Sequence, residues 1–330
     1  MIANSVMSYQ PPFTITSKML NLVGDIAESL TKIEIHEHHL ITPYLRKVNR
    51  IKTLAGTLEI EGNFLGEEKI TAILDGKRVL ATVLELAEVE GAIKAYENLQ
   101  RYNQNSLNDL LQAHKILMGE ILTTAGNFRR VNVGVGGKNG VSHVAPPFER
   151  VPDLMHDLFE WLKNSNEHPL IKSCIFHYEF EFIHPFSDGN GRIGRLWQSV
   201  ILYNYKKVFS SIATESIVRD YQEAYYKALE ASGSAGESTP FIEFMLGVIL
   251  ESLQKVGNKV GNKVGNDLSD NQKLIVQSMR ENPKISAQKL SDIVGISVRK
   301  IEENISKLKE MKMIDRAGGT RGYWEVLHDE

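Results

Sequence analysis

The stretch His184-Pro185-Phe186-Ser187-Asp188-Gly189-Asn190-Gly191-Arg192-Ile193-Gly194-Arg195 decides how this chain is read. Ahead of it, residues 171–183 are dense in apolar and aromatic side chains, the pattern of a helix buried on most sides. Pro185 ends that helix, and two glycines allow a tight turn. A second helix is expected to begin near Arg192, its apolar face continued by Leu196, Val200 and Leu202. Because glycine tolerates positive φ, the turn can gather backbone N–H groups into a concavity at the start of the second helix. The partial positive charge of a helix N-terminus makes such a concavity suited to phosphate.

The side chains of the stretch form a catalytic inventory. His184 can take a proton near neutral pH. Asp188 offers a carboxylate to a hard cation such as Mg²⁺. Arg192 and Arg195 are three apart, so both project from one side of the first helical turn toward an anion. The bland alternative is a helical corner with a buried histidine and solvated arginines. One base, one acid, the two turn glycines and two arginines within twelve residues favour chemistry.

Outward from the motif, most of the chain carries helical periodicity. Residues 70–99 suggest one helix weakened at Gly91, and 107–122 and 151–162 suggest two more. Val131, Val133 and Val135 alternate with Asn132 and Gly134, and Asn139-Gly140 precedes Val141 and Val144, which predicts a β-hairpin ended by Pro146-Pro147. Lys-Val-Gly-Asn, repeated three times over residues 255–266, predicts an irregular linker. The expected organisation is a helical region over 1–110, a core over 111–254, that linker, and a small domain over 267–330.

The twelve-residue stretch matches the His-Pro-Phe-x-Asp-Gly-Asn-Gly-Arg-x-x-Arg signature of the Fic family at all nine specified positions. The resemblance extends over residues 70–250, including Gly126-Asn127-Phe128-Arg129 and the hairpin. It implies a mainly α fold: a Fic helical core with a β-hairpin flap. It also implies protein adenylylation (AMPylation), with ATP as donor and Mg²⁺ as its counter-ion. In that scheme His184 deprotonates a Ser, Thr or Tyr hydroxyl, which attacks the α-phosphorus, and Asp188 holds the metal. Backbone around Gly189, Asn190 and Gly191 cradles the phosphates with help from the Asn190 side chain, while Arg192 and Arg195 neutralise the leaving pyrophosphate. Phe186 is a core anchor, the flap edge holds the target, and of Tyr225 and Tyr226 the latter is the candidate for adenine. Positioning and charge neutralisation are what such transfers need.

Upstream, Thr57-Leu58-Glu59-Ile60-Glu61-Gly62-Asn63 is similar to the Ser/Thr-x-x-x-Glu-Gly/Asn inhibitory motif of one Fic class. Thr57 and Glu61 share a helical face. A Glu61 carboxylate on Arg195 would take the guanidinium that the γ-phosphate requires, so the expectation is autoinhibition within one chain, open to modulation by a homodimer.

Residues 285–297 have the layout of a helix–turn–helix, with one helix ending at Gly295 and Ser297 capping the next, which is expected to run to about Lys312. The segment Gly318-Gly319-Thr320-Arg321-Gly322-Tyr323-Trp324 suggests a turn between two strands, and the whole resembles a winged helix. Residues 267–330 hold 11 basic and 11 acidic side chains, whereas 297–324 hold 7 against 4. That mild excess leaves both DNA binding through 297–324 and a protein-interaction or dimerisation role open.

Composition agrees with a folded chain: 330 residues, 42% hydrophobic, 24% charged, net charge −3. The single cysteine, Cys174, sits in an apolar run and is expected to be inert. No apolar run suits a membrane span or a secretory signal, so a cytoplasmic location and no membrane partner are expected. The glycines of 134–140 fit neither a P-loop nor a dinucleotide fingerprint, and His36-Glu37-His38-His39 lacks metal-site spacing and reads as a polar helix face. Besides AMP transfer to a target protein or to itself, two alternatives stand. One is a DNA-binding regulator with a nucleotide-sensing core; the other is a Fic enzyme with a different donor or with AMP-removing activity.

Overall fold

The computed structural model describes residues 9–35, 43–137, 140–266, 268–310, 313–318 and 322–327. The His36–His39 cluster lies outside them. The chain divides into two compact units, Met1–Val256 and Gly257–Glu330. No helix among the described residues is long and apolar enough to cross a membrane.

The first unit is built from helices α1 (Ser17–Ile35), α2 (Pro43–Ile60), α3 (Gly66–Leu74), α4 (Val83–Glu97), α5 (Leu107–Met118), α6 (Val151–Asn164), α7 (Pro169–Ile183), α8 (Asn190–Tyr205), α9 (Thr214–Asp220) and α10 (Gln222–Ala235). A further helix, α11 (Thr239–Asn266), begins in this unit and contains the division at Val256. The expected flap is present as β1 (Gly134–Gly137) and β2 (Gly140–Val144), paired antiparallel with a bulge between Val135 and Gly136. The strands are shorter than the valine pattern suggested, because Val131 and Val133 precede the regular pairing.

Helices α7 and α8 form the centre. Phe176, Phe180, Ile193, Leu196, Trp197 and Val200 are fully buried at 0% exposure. Phe159 of α6 meets both Phe176 and Trp197 edge-on, with centroids 5.4 and 6.0 Å apart. Even the polar His177 is enclosed: its Nδ1 lies 2.7 Å from Gln198 Oε1 and its Nε2 3.0 Å from the Tyr225 hydroxyl. Cys174 is fully buried, and burial pushes its thiol up to about 12, so it stays protonated.

Two expectations need correction. The single helix over 70–99 is broken: α3 stops at Leu74, Gly76 takes φ +72°, and Thr82 starts α4 with a capping box. The Thr82 hydroxyl accepts from Glu85 N–H at 3.1 Å, and the Glu85 carboxylate accepts from Thr82 N–H at 2.7 Å. The Lys-Val-Gly-Asn repeat, expected to be irregular, is helical through Asn266. Extending a helix adds one hydrogen bond per residue fixed, so a well-anchored start at Phe241, Ile242 and Met245 can carry it over glycines that would not nucleate one.

The second unit comprises α12 (Asp270–Glu281), α13 (Ala287–Val294), α14 (Val298–Glu310) and the antiparallel pair β3 (Ile314–Ala317) and β4 (Tyr323–Val326). Gly295 closes α13 at φ +74°, and the Ser297 hydroxyl accepts from Lys300 N–H at 3.4 Å at the start of α14. Ile275, Met279, Leu290, Ile301 and Leu308 make its core. This is the expected winged helix–turn–helix; residues 311–312, to which α14 was expected to run, lie outside the described residues.

Gly91 is the residue that propensity alone would improve, by about 1 kcal/mol on changing to Ala. A Cβ there would run into the Leu117 carbonyl oxygen of α5, a backbone atom unable to swing aside. Gly91→Ala should therefore destabilise the protein by about 1–3 kcal/mol. A thermal melt in which the variant unfolds above wild type would refute this close helix contact.

Candidate functional site

Helix α7 ends where His184 turns left-handed, at φ 49° and ψ 61°, the one non-glycine with positive φ among the described residues. That conformation costs an L-residue roughly 1–2 kcal/mol. The His184 N–H still donates to Phe180 O at 2.9 Å, so the chain leaves the helix at once and presents the imidazole beside the turn.

The turn is held from inside. The Asn190 side chain accepts from Phe186 N–H at 2.8 Å and donates to Phe186 O at 2.9 Å. Phe186 is fully buried and stacks on His114 of α5 at 3.7 Å. Gly126 N–H donates to His114 Nδ1 at 2.8 Å, which fixes the tautomer, so Nε2–H donates to the Asp188 carbonyl at 3.0 Å. Burial lowers His114 to about 4, keeping the ring neutral in this role. The Asn190 amide, expected to assist phosphate binding, bonds to both backbone groups of Phe186 through its oxygen and one of its two N–H donors. Gly189, at φ +79°, delivers the chain into α8, whose first N–H groups lack helical acceptors.

Both arginines of α8 are buried and both already hold carboxylates. Arg195 is 3% exposed. Its Nη2 donates to Glu61 Oε1 at 2.7 Å and to Thr57 O at 3.2 Å, and its Nε donates to the Thr57 hydroxyl at 3.2 Å. Burial opposes charge on Arg195, yet Glu61 together with Tyr225 and Tyr96 outweighs it and raises the guanidinium's pKa further. Burial would raise Glu61, but Arg195, aided by Arg192, holds it below the usual carboxylate range. Glu61 lies in the turn that ends α2, just after Ile60, whose carbonyl accepts from Gln222 Nε2 at 3.0 Å. Its Oε1 would stand only 2.5 Å from a Cβ placed on Gly191. The carboxylate thus sits on the first turn of α8, where that helix favours an anion.

Arg192, 4% exposed, donates to Glu88 Oε1 at 2.9 Å and lies 3.7 Å from Asp188 Oδ1. Glu88 Oε2 in turn accepts from the Asn63 amide at 2.9 Å. The Asp188 carboxylate is exposed and accepts from Gly189 N–H at 2.6 Å. Among the described residues no cluster of three His, Cys, Asp or Glu could hold a metal ion. An exposed lone carboxylate beside an anion site suits Mg²⁺ arriving with polyphosphate, which needs only one or two protein oxygens.

Of the tyrosines, Tyr225 is buried against His177, while Tyr226 is 48% exposed on α10, which borders strand β2. The sequence reading missed His114 and Glu88. His114 had a signal, a polar residue among Leu110, Ala113 and Leu117 on an apolar stripe; Glu88 had none.

A sequence model of the Fic/DOC family matches residues 104–202, and one of a winged helix-turn-helix DNA-binding module matches 268–315. A crystal structure of a Fic family protein from Desulfovibrio desulfuricans G20 is 38% identical, with a TM-score of 0.74, over 98% of this chain and 99% of that one. Protein adenylyltransferase Fic of Aedes aegypti is 30% identical over 59% of this chain and 39% of its own length. Protein adenylyltransferase fic-1 of Caenorhabditis elegans is 26% identical over 83% of this chain and 54% of its own. The chain therefore spans about two fifths to one half of these curated relatives.

One buried acid tests the electrostatics. Glu181 lies 3.8 Å from His177 Nε2, and its Oε1 finds no hydrogen-bond partner among the described residues. Burial, partly opposed by Arg195 and reinforced by Glu61, pushes it up to about 8. The folded state then keeps a proton that the unfolded chain releases near the usual Glu value of 4.5, so stability falls as pH rises from 4.5 to 8. Glu181→Gln should remove that slope, and its advantage over wild type should grow by up to about 1.4 kcal/mol per pH unit. Denaturant midpoints at pH 5, 6, 7 and 8 that keep a constant offset would contradict a protonated Glu181.

Proposed function

Because the chain belongs to the Fic family, we propose that it transfers AMP from ATP to a hydroxyl of a protein and is restrained by its own Glu61. The observation that carries this reading is the Glu61 carboxylate lying over Gly191 and on Arg195. An anion already fills the place that a phosphate needs, and the histidine suited to a base stands next to it. The names of the curated relatives, protein adenylyltransferases, support the same chemistry.

In this reading His184 takes the proton of a Ser, Thr or Tyr hydroxyl held along the flap. The hydroxyl oxygen forms a bond to the α-phosphorus of ATP, and the bond from that phosphorus to the bridging oxygen breaks. Pyrophosphate leaves, its charge neutralised by Arg192 and Arg195. The N–H groups at the start of α8 receive phosphate oxygens, and Tyr226 packs on the adenine. Asp188 would hold Mg²⁺, which supplies charge neutralisation to the phosphates when bound. Full engagement of the γ-phosphate requires Arg195 to exchange Glu61 for phosphate, and until then the α-phosphate is out of line for attack.

Incorporation of label from α-labelled ATP should be weak for wild type and rise at least about 100-fold in Glu61→Gly, an amount that misalignment of reacting atoms commonly costs. It should vanish in Glu61→Gly/His184→Ala. Equal labelling by wild type and Glu61→Gly would remove the restraint from this account. Because Glu61 is held below the usual carboxylate range, wild-type labelling should gain no release from inhibition between pH 7 and pH 5.

For the second unit, the matched sequence model favours DNA over a protein partner. We assign duplex contact to α14 and the β3–β4 wing, where Lys309 and Arg316 lie 5.3 and 5.1 Å from the Trp324 ring. Binding should weaken steeply with salt. A filter-binding titration with mixed-sequence duplexes that retains no DNA at low salt would leave the unit as a protein-contact module.

A further inference from the structure

Arg129 lies between the flap and the catalytic turn, and the AMP-transfer scheme gives it no part. It is 4% exposed. Its hydrogen bonds among the described residues all go to main-chain carbonyls. Nε donates to His184 O at 2.8 Å, Nη1 to Val131 O at 2.8 Å, and Nη2 to Pro146 O and, at 3.4 Å, to Ile183 O. Its own N–H donates to Pro185 O at 2.9 Å. Val131 and Pro146 stand on the two legs of the flap, below β1 and β2. Ile183, His184 and Pro185 are the end of α7 and the start of the catalytic turn. A single guanidinium therefore closes the hairpin at its base and fastens it to the residue that bears the imidazole.

That arrangement matters because of how His184 is built. Its N–H is committed to Phe180 O and its carbonyl to Arg129 Nε, so both polar backbone groups are fixed while the residue holds a left-handed conformation that its side chain disfavours. The direction of the imidazole follows from that backbone. A protein segment lying along the flap is carried by the same guanidinium through Val131 and Pro146. The phosphate cradle is held separately, by Asn190 on Phe186 and by His114 on Asp188.

We propose that Arg129 is a positioning residue: through carbonyls on both flap legs and on His184 it sets the register between a flap-held acceptor hydroxyl and the base. The inference rests on the AMP-transfer reading for its catalytic consequence. Arg is suited to the role because its planar fork reaches several acceptors at fixed angles, whereas Lys offers one point of donation. Loss of the clamp should misplace acceptor and base relative to each other while leaving the nucleotide site intact.

The test uses the full chain with Glu61→Gly as parent, comparing Arg129→Lys and Arg129→Met. Three quantities are read: kcat and KM for ATP in label transfer, ATP affinity by calorimetry, and backbone hydrogen exchange over residues 131–146 and 190–205. The expected result is a kcat about 100-fold lower in Arg129→Met, partial recovery in Arg129→Lys, and ATP affinity within about twofold of the parent. Exchange should rise over 131–146 and stay unchanged over 190–205. Undiminished kcat overturns the inference, and so does a parallel loss of kcat and ATP affinity in Arg129→Lys, which would mark a general structural role. A parent that incorporates no label defeats the AMP-transfer reading by itself. The exchange measurement then still decides the clamp, since unaltered exchange over 131–146 refutes it.

Discussion

A guanidinium taken out of water must have an anion. Arg195 sits almost fully buried in α8, and a buried charge left unpaired is strongly destabilising. In this structure the anion is Glu61, delivered by the turn that ends α2. The same contact gives the buried guanidinium its anion and sets a carboxylate beside the first turn of α8. Under the proposed function, an incoming phosphate replaces Glu61 without leaving the guanidinium bare.

Around that pair the turn and the flap are held by buried fasteners. Asn190 ties the turn to Phe186, His114 holds Asp188 through a tautomer fixed by Gly126, and Arg129 joins the flap to His184. His114 and Arg129 join elements distant in the chain, whereas Asn190 reaches back four residues, and each spends its polar atoms on backbone. The backbone of His184, of Asp188 and of the turn leading into α8 is thereby fixed by buried side chains. Glu88 adds a second carboxylate on the second arginine and links it to Asn63, two positions beyond Glu61. The carboxylates on the two arginines of α8 thus come from the end of α2 and from α4.

Local patterns were the legible part of the fold. The apolar runs of α7 and α8, the valine alternation of the flap and the Ser297 cap were visible because each depends on neighbours within a turn or a strand. The break after Leu74 was not, since the periodicity of 70–99 persists across a stretch that Gly76 and the Thr82 cap divide. Gly91 looked like a weakness in a helix and is instead the point where α4 meets the backbone of α5. The helical Lys-Val-Gly-Asn repeat went unread for a similar reason: propensity describes a segment alone, whereas a helix anchored upstream propagates through it.

The sequence by itself determined the family, the twelve-residue motif with its histidine, aspartate and arginines, and the Thr57–Glu61 segment, because each is a contiguous string whose spacing carries its meaning. Only the tertiary structure decided who partners whom. That Glu61 meets Arg195 and Glu88 meets Arg192 joins residues more than a hundred positions apart. That Asn190 serves the turn and Arg129 the flap depends on which carbonyls come within 3 Å or so once the helices pack. Hydrogen-bond partners are chosen by distance and angle in space, which a linear order of residues does not contain.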